Sequence, residues 1–276
     1  MNNTVYFEAL SIKTSDPIDS FVGELCVYNE KECESIGKTI KPQHEGRGKF
    51  EFVPKEGKQY GVKVTKPSDI TTIYPLPRIS NTGALLHSSK DIYNDNEPIE
   101  LDVYFNSELL SNSSIEFSVK LFKRELEIAS SNLTFQKQGN LAKSTVTLTP
   151  PLSKYGVLRA TLFFNHIPIA ERLLFRESQQ KLHIDIQTTE LEYTPGSTVT
   201  VQIKTTDQQG SPISALVGVS VTDETVLNMV DKRKRVPTLP ALVLLENEVN
   251  RFENANEFLS NNTNIDLLLG TQGWRR

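Results

Sequence analysis

The stretch Asp91–Val103 reads DIYNDNEPIELDV, and Glu190–Ile203 reads ELEYTPGSTVTVQI. In each, a tyrosine leads into a short turn of Asn, Asp, Pro or Gly, and the turn leads into alternating apolar and polar residues. Such alternation marks a strand with one buried face. Tyr93 and Tyr193 stand 100 residues apart. A second echo has nearly the same interval. FEFVPKEGKQYGVKV (Phe50–Val64) parallels VTLTPPLSKYGVLRATL (Val146–Leu162), with Tyr60 and Tyr155 95 residues apart. Each has a strand, a proline turn, then Tyr-Gly-Val opening another strand. Two patterns recurring at the length of one β-sandwich make the repeat a domain.

Further strand signals fill the chain: GKFEFVP and YGVKVTKP early, SIEFSVKLF and STVTLTP in the middle, KLHIDIQTT, STVTVQIKTT and LVGVSVTD late. They are short and punctuated by Glu56-Gly57, Pro195-Gly196 and Gln209-Gly210. The predicted fold is all-β: tandem immunoglobulin-like sandwiches, each sheet burying one face. Boundaries fall in the proline-rich Pro75–Asn81 and the polar Phe175–Lys181. The predicted modules are 1–78, 79–178 and an incomplete 179–276.

The tail differs. Leu242, Leu245, Val249, Phe252 and Leu259 recur at helical spacing, with Thr238 and Pro240 suited to a helix start. This predicts a helical segment over about 238–260: a helix from Pro240 to Phe252 that resumes before Leu259 and packs on the core. IDLLLGTQGWRR follows as strand or helix and is expected to continue beyond Arg276.

The 276 residues suffice for two to three domains. The net charge of −4 is spread along the chain, which argues against a nucleic-acid face. Lys232, Arg233, Lys234 and Arg235 form one basic cluster, read as a solvated loop ahead of a phosphate or membrane contact. No apolar run approaches the roughly 18–20 residues of a membrane span. MNNTVYFEALSIKTSDP has no greasy stretch after a charged start, so it is not a secretory signal, and Met1 reads as the start of an excised or mature segment.

Cys26 and Cys33 flank a tight turn at Asn29-Glu30, which faces them across a hairpin at bridging distance. A disulfide and two free strand thiols are both open, and the mass change on reduction distinguishes them. The spacing is not that of a Cys-x-x-Cys site. Asn2, Asn112, Asn132 and Asn261 lie in glycosylation sequons of little weight in an Asn-rich chain.

Signals for catalysis are weak. His44, His87, His166 and His183 occur singly, without metal-ligand spacing. EGRGKF (Glu45–Phe50) leads into a strand rather than a helix, so it reads as a tight turn and not an anion cradle. Asp223 closes the strand LVGVSVT, where capping a following helical turn outweighs a calcium site. No cofactor and no enzyme activity are expected.

IPIAERLLFR (Ile167–Arg176), the stretch from Tyr193 to Leu227 and LLLGTQGWRR together resemble the alpha-2-macroglobulin family, notably its bacterial-type and related large members built from tandem macroglobulin domains. GRGKFEFVPKEGKQYGVKV and DIYNDNEPIELDV fit the same style. The resemblance implies a fragment of a protease-trapping protein, whose partners are neighbouring domains and a protease. It also implies a secreted, cell-surface or periplasmic location. In the family, a bait segment is inserted in the domain matching VGVSVTDETVL, and its cleavage collapses the molecule around the enzyme. Lys232–Arg235 would then be an exposed site for a trypsin-like protease, although the following VPTLPALVLLENEVNRF looks ordered. The reactive thioester needs Cys-Gly-Glu-Gln, whereas Val27 follows Cys26 and Glu34 follows Cys33. The expected function is a non-catalytic interaction array contributing to endopeptidase inhibition. The alternative is an adhesion or carbohydrate-binding sandwich using the aromatics Tyr28, Tyr104 and Phe105.

Overall fold

The computed structural model describes residues 2–29, 32–80, 83–106, 116–138, 141–222, 225, 237–245, 248–249 and 254–272. It divides into two compact units: unit 1 is Met1–Arg176 with Arg235–Arg276, and unit 2 is Glu177–Lys234.

Unit 1 contains two sandwiches with separate cores. In module one, β1 (Asn3–Glu8) pairs antiparallel with β4 (Arg47–Phe52). β2 (Val22–Asn29), β3 (Glu32–Ile40), β5 (Tyr60–Lys66) and β6 (Ile73–Pro75) form the other sheet in the order β3-β2-β5-β6. Leu25, Ile40, Phe50 and Tyr60 are its buried core, flanked by half-buried Phe7, Phe21 and Phe52. The two-stranded layer leaves an apolar cleft of about 420 Å³ lined by Phe7, Phe21, Ile40, Phe50 and Leu76. The β2–β3 hairpin carries a Cys26–Cys33 bridge with a Cα–Cα distance of 5.3 Å. The two cysteines are not cross-strand partners: the register that runs from Asn29↔Glu32 sets Tyr28 opposite Cys33 and Cys26 opposite Ser35, and a bulge follows between Cys26 and Leu25. Glu30 of the expected turn lies outside the described residues.

Module two is the larger sandwich. One sheet has the order β11-β10-β14-β15-β8 and the other β12-β13-β9-β7. Their ranges are β7 (Ala84–Ser88), β8 (Ile92–Asn94), β9 (Ile99–Asn106), β10 (Phe117–Lys123), β11 (Leu126–Asn132), β12 (Gln136–Gln138), β13 (Leu141–Leu148), β14 (Gly156–Phe164) and β15 (Ile167–Glu177). Alternation decides what is inside: Phe117, Val119 and Leu121 of β10 are buried while Ser118 and Lys120 are not. Phe105, Phe117 and Phe164 pack as an aromatic cluster, the first pair edge-to-face at 4.6 Å. Tyr93 is buried and its hydroxyl donates to the Glu100 carbonyl at 2.9 Å, pinning the turn to β9.

Unit 2 repeats the opening of module two. β16 (His183–Thr188) pairs with β17 (Val201–Thr206). Leu86 faces Val103 and Ser88 faces Leu101, while Ile186 faces Ile203 and Thr188 faces Val201. The register is the same at an offset of 100. The Tyr193 hydroxyl accepts from the Glu190 amide at 2.9 Å and lies 3.0 Å from the Thr189 hydroxyl, closing the second tyrosine turn.

Two expectations are corrected. The predicted module 179–276 is divided, because residues 235–276 belong to unit 1. The alternating LVGVSVT forms no strand: described residues 214–222 carry no ladder and Leu216, Val219 and Val221 are exposed. Alternation makes a strand only where a neighbour supplies hydrogen bonds.

The tail forms α1 (Leu239–Leu245), α2 (Ala255–Ser260) and α3 (Asn262–Thr271). Of the expected stripe, Leu245 and Val249 are buried, Leu242 faces outward and Phe252 lies outside the described residues. α3 settles the reading of IDLLLG as helix. Asn261 caps it, its side chain accepting from the Thr263 amide at 2.9 Å. Ile265, Leu267, Leu268 and Leu269 are all buried, so the helix is covered on several sides. Its packing against the sandwiches, through Val157, Leu173 and Phe175, explains why the tail leaves the third module.

Candidate functional site

The densest chemistry in unit 1 lies where α3 meets both sandwiches. Tyr6 on β1 and Lys49 on β4 are cross-strand partners, so both reach out from one face of that layer. Arg172 comes from β15, Asp91 from the turn before β8, and Asp266 from α3. The Asp266 carboxylate is fully buried. It accepts from the Tyr6 hydroxyl at 2.9 Å, from Lys49 Nζ at 2.6 Å and from Arg172 Nη2 at 2.7 Å. Asp91 stands 3.6 Å from both cations. The Arg172 guanidinium also lies 4.9 Å from the Tyr6 ring centre.

These contacts set the charges. Burial alone would raise the Asp266 carboxyl, but the Lys49 hydrogen bond and the Arg172 charge outweigh it and hold it below the usual aspartate range. Asp91 goes the other way, pushed up by burial and then by the Asp266 charge. Burial drives the Tyr6 phenol up to about 12. The joint thus holds two cations against two carboxyls, with the tyrosine hydroxyl as a donor. Its chemistry is suited to fixing β1, β4, β15 and α3 in register, since both oxygens of Asp266 are engaged.

A second contact set lies alongside. Arg47, almost buried, pairs with Glu8 at 2.6 Å and Glu45 at 3.0 Å, and its guanidinium lies 5.5 Å from the Phe258 ring centre on α2. Glu45 also accepts from the Asn254 side chain. His44 packs edge-on against Phe258 at 5.2 Å. EGRGKF is accordingly a tight turn: Gly46 has φ +70° and a Cβ there would strike the Ala9 carbonyl.

The expected protease-exposed residues Lys232, Arg233, Lys234 and Arg235 lie outside the described residues, as does Asp223. His87, His166 and His183 are exposed and far from one another in sequence. Among the described residues, no three His, Cys, Asp or Glu side chains form a metal-sized group. No described helix is long and apolar enough to cross a membrane. Of the aromatics considered for ligand binding, Phe105 is in the core, and Tyr28 and Tyr104 are half-buried in different modules. Sequence reasoning missed Tyr6, Lys49, Asp91, Arg172 and Asp266. The one local signal was Asp266 itself, a carboxylate set in the run IDLLLG.

Paired antiparallel sheets, repeated along one chain and joined by a buried ionic contact rather than a cleft, define a tandem immunoglobulin-like β-sandwich protein. A family model for the alpha-2-macroglobulin bait region domain matches residues 86–229, more than half of the chain. The chain belongs to the alpha-2-macroglobulin family. Comparison with curated protein sequences finds no significant match. Solved structures with similarity include the Escherichia coli adhesin FdeC, at 12% identity over 78% of this chain and 76% of that one, with a TM-score of 0.28. Invasin, a bacterial integrin-binding protein, matches at 9% identity over 80% of this chain and 49% of its own, with a TM-score of 0.28. The major pilin subunit of Bacillus cereus matches at 9% identity over 77% and 86%, with a TM-score of 0.24.

Proposed function

We propose that this chain is a non-catalytic part of a protease-trapping protein, presenting a cleavable segment between unit 2 and the helical stretch that follows it. The observation that carries the reading is the match of residues 86–229 to the bait region domain. Lys232–Arg235 begins three residues past the end of that match and supplies the side chains that trypsin-class enzymes select. The partner is a protease, with neighbouring domains of a longer protein completing the trap, and the setting is secreted, cell-surface or periplasmic. The chain contributes shape and a cut site, and the protease supplies the chemistry. An adhesion or glycan-binding role would draw on exposed aromatics; of the three considered, Phe105 is buried and Tyr28 and Tyr104 are half-buried.

Limited digestion with trypsin, read by mass spectrometry at early times, tests this. The first cuts are expected after Lys232, Arg233, Lys234 or Arg235. First cuts elsewhere, with this segment resistant, would remove the bait reading.

A further inference from the structure

The chain leaves unit 1 at Arg176 and returns to it at Arg235. Unit 1 is therefore assembled from two stretches separated by all of unit 2. The helical stretch is seated by core-like burial: Ala241, Leu245, Phe258, Ile265 and Leu268 pack in one cluster with Val157, Leu173 and Phe175 of module two.

Polar contacts give that seat an address on both sandwiches. Asp266 joins Lys49 and Tyr6 of module one to Arg172 of module two. One turn further on, Gly270 lies against the Tyr6 ring so closely that a Cβ would overlap it. Within the stretch, Asn256 Oδ1 accepts from the Thr238 amide at 2.8 Å, and Gln272 donates to the Glu248 carbonyl at 3.1 Å. The helices thus brace one another as well as the sheets.

We propose that residues 237–272 form a clasp that outlasts a break in the chain. After a cut between Thr222 and Pro237 the helices stay docked on both sandwiches and no piece is shed. The backbone then enters unit 2 at one end only, at Arg176–Glu177. A cut therefore changes how unit 2 is tethered without taking unit 1 apart. The inference goes beyond the trap reading and does not depend on it, because any cut at this place has the same effect.

The test inserts a recognition site for a sequence-specific protease between Arg235 and Val236. The chain is cut to completion, checked by denaturing mass spectrometry, and run on size exclusion at low micromolar concentration. Both pieces are expected to elute together. Asp266→Ala and the milder Asp266→Asn should release the short piece on the order of tenfold more readily, because each removes the buried carboxylate to which both Lys49 and Arg172 donate. Lys120→Ala, at an exposed pair with Glu127, should release no more than the unsubstituted protein. Circular dichroism of the uncut variants checks that the sheets remain formed. A short piece that elutes alone from the cut unsubstituted protein overturns the clasp, and retention in both Asp266 variants equal to that of the unsubstituted protein overturns the part assigned to Asp266. Resistance of the natural Lys232–Arg235 stretch to trypsin would undo the trap reading and leave this result standing.

Discussion

Asp91 and Asp266 lie in one joint and make opposite demands on pH. Asp266 titrates below the usual aspartate value, so its contribution is complete above about pH 4 and is lost as pH falls through its lower folded value. Asp91 titrates above that value, so its ionised form opposes folding at neutral pH and protonation relieves it. Thermal melts at pH 7 should show Asp266→Asn lowering the midpoint and Asp91→Asn raising it slightly. The Asp266→Asn loss should shrink below pH 4. Equal effects of the two changes would contradict the assigned charges. Arg176 makes a different demand. It is 1% exposed, and its guanidinium donates to the carbonyls of Pro151 at 2.8 Å, Lys154 at 3.0 Å and also Asp95. An ammonium cannot span that fork, so Arg176→Lys should cost module two about 2–3 kcal/mol in urea denaturation.

The Tyr-Gly-Val echo acquires a cause at the scale of elements. In β5, a Cβ on Gly61 would come within 2.9 Å of the Ile73 side chain on β6. At the start of β14, Gly156 has φ +82°, and a Cβ would stand 2.8 Å from the Leu244 carbonyl of α1. Each glycine admits a neighbouring element to close range. Gly156→Ala should cost about 1–3 kcal/mol through the backbone conformation and displacement of α1. Hydrogen exchange should show faster exchange in α1 with β10 unchanged, and equal acceleration in both would assign the loss elsewhere. Period-2 alternation made the sandwiches legible in the sequence, because β10 and β9 each bury one face. It overreached at Leu216–Thr222, where pairing depends on residues far along the chain. The helical period found α1 but not its outward Leu242. The joint stayed illegible: Asp266 meets Tyr6 across 260 residues and Lys49 across 217, and no local pattern records such partners.

Over the whole molecule, burial is uneven. Among the described residues, module two buries fifteen apolar residues in one cluster, whereas β16 and β17 leave Ile184, Ile186 and Val201 exposed. Two strands without a covered face are marginal in water. Amides of β16 and β17 should exchange with little protection while those of β10 and β14 exchange only on global unfolding. Matched protection in both would show unit 2 to be as stable as module two. The trap reading belongs to this scale as well, since a cut between units matters only if they differ in how they are held.

The pair-for-pair correspondence of β7–β9 with β16–β17 makes the two ribbons interchangeable parts. Residues 84–106 could be transplanted onto 184–206 without adding or deleting a residue, keeping each tyrosine turn and each cross-strand partner in place. Such a chimaera would carry the same backbone plan with a different side-chain lining, so the effect of composition could be separated from that of geometry.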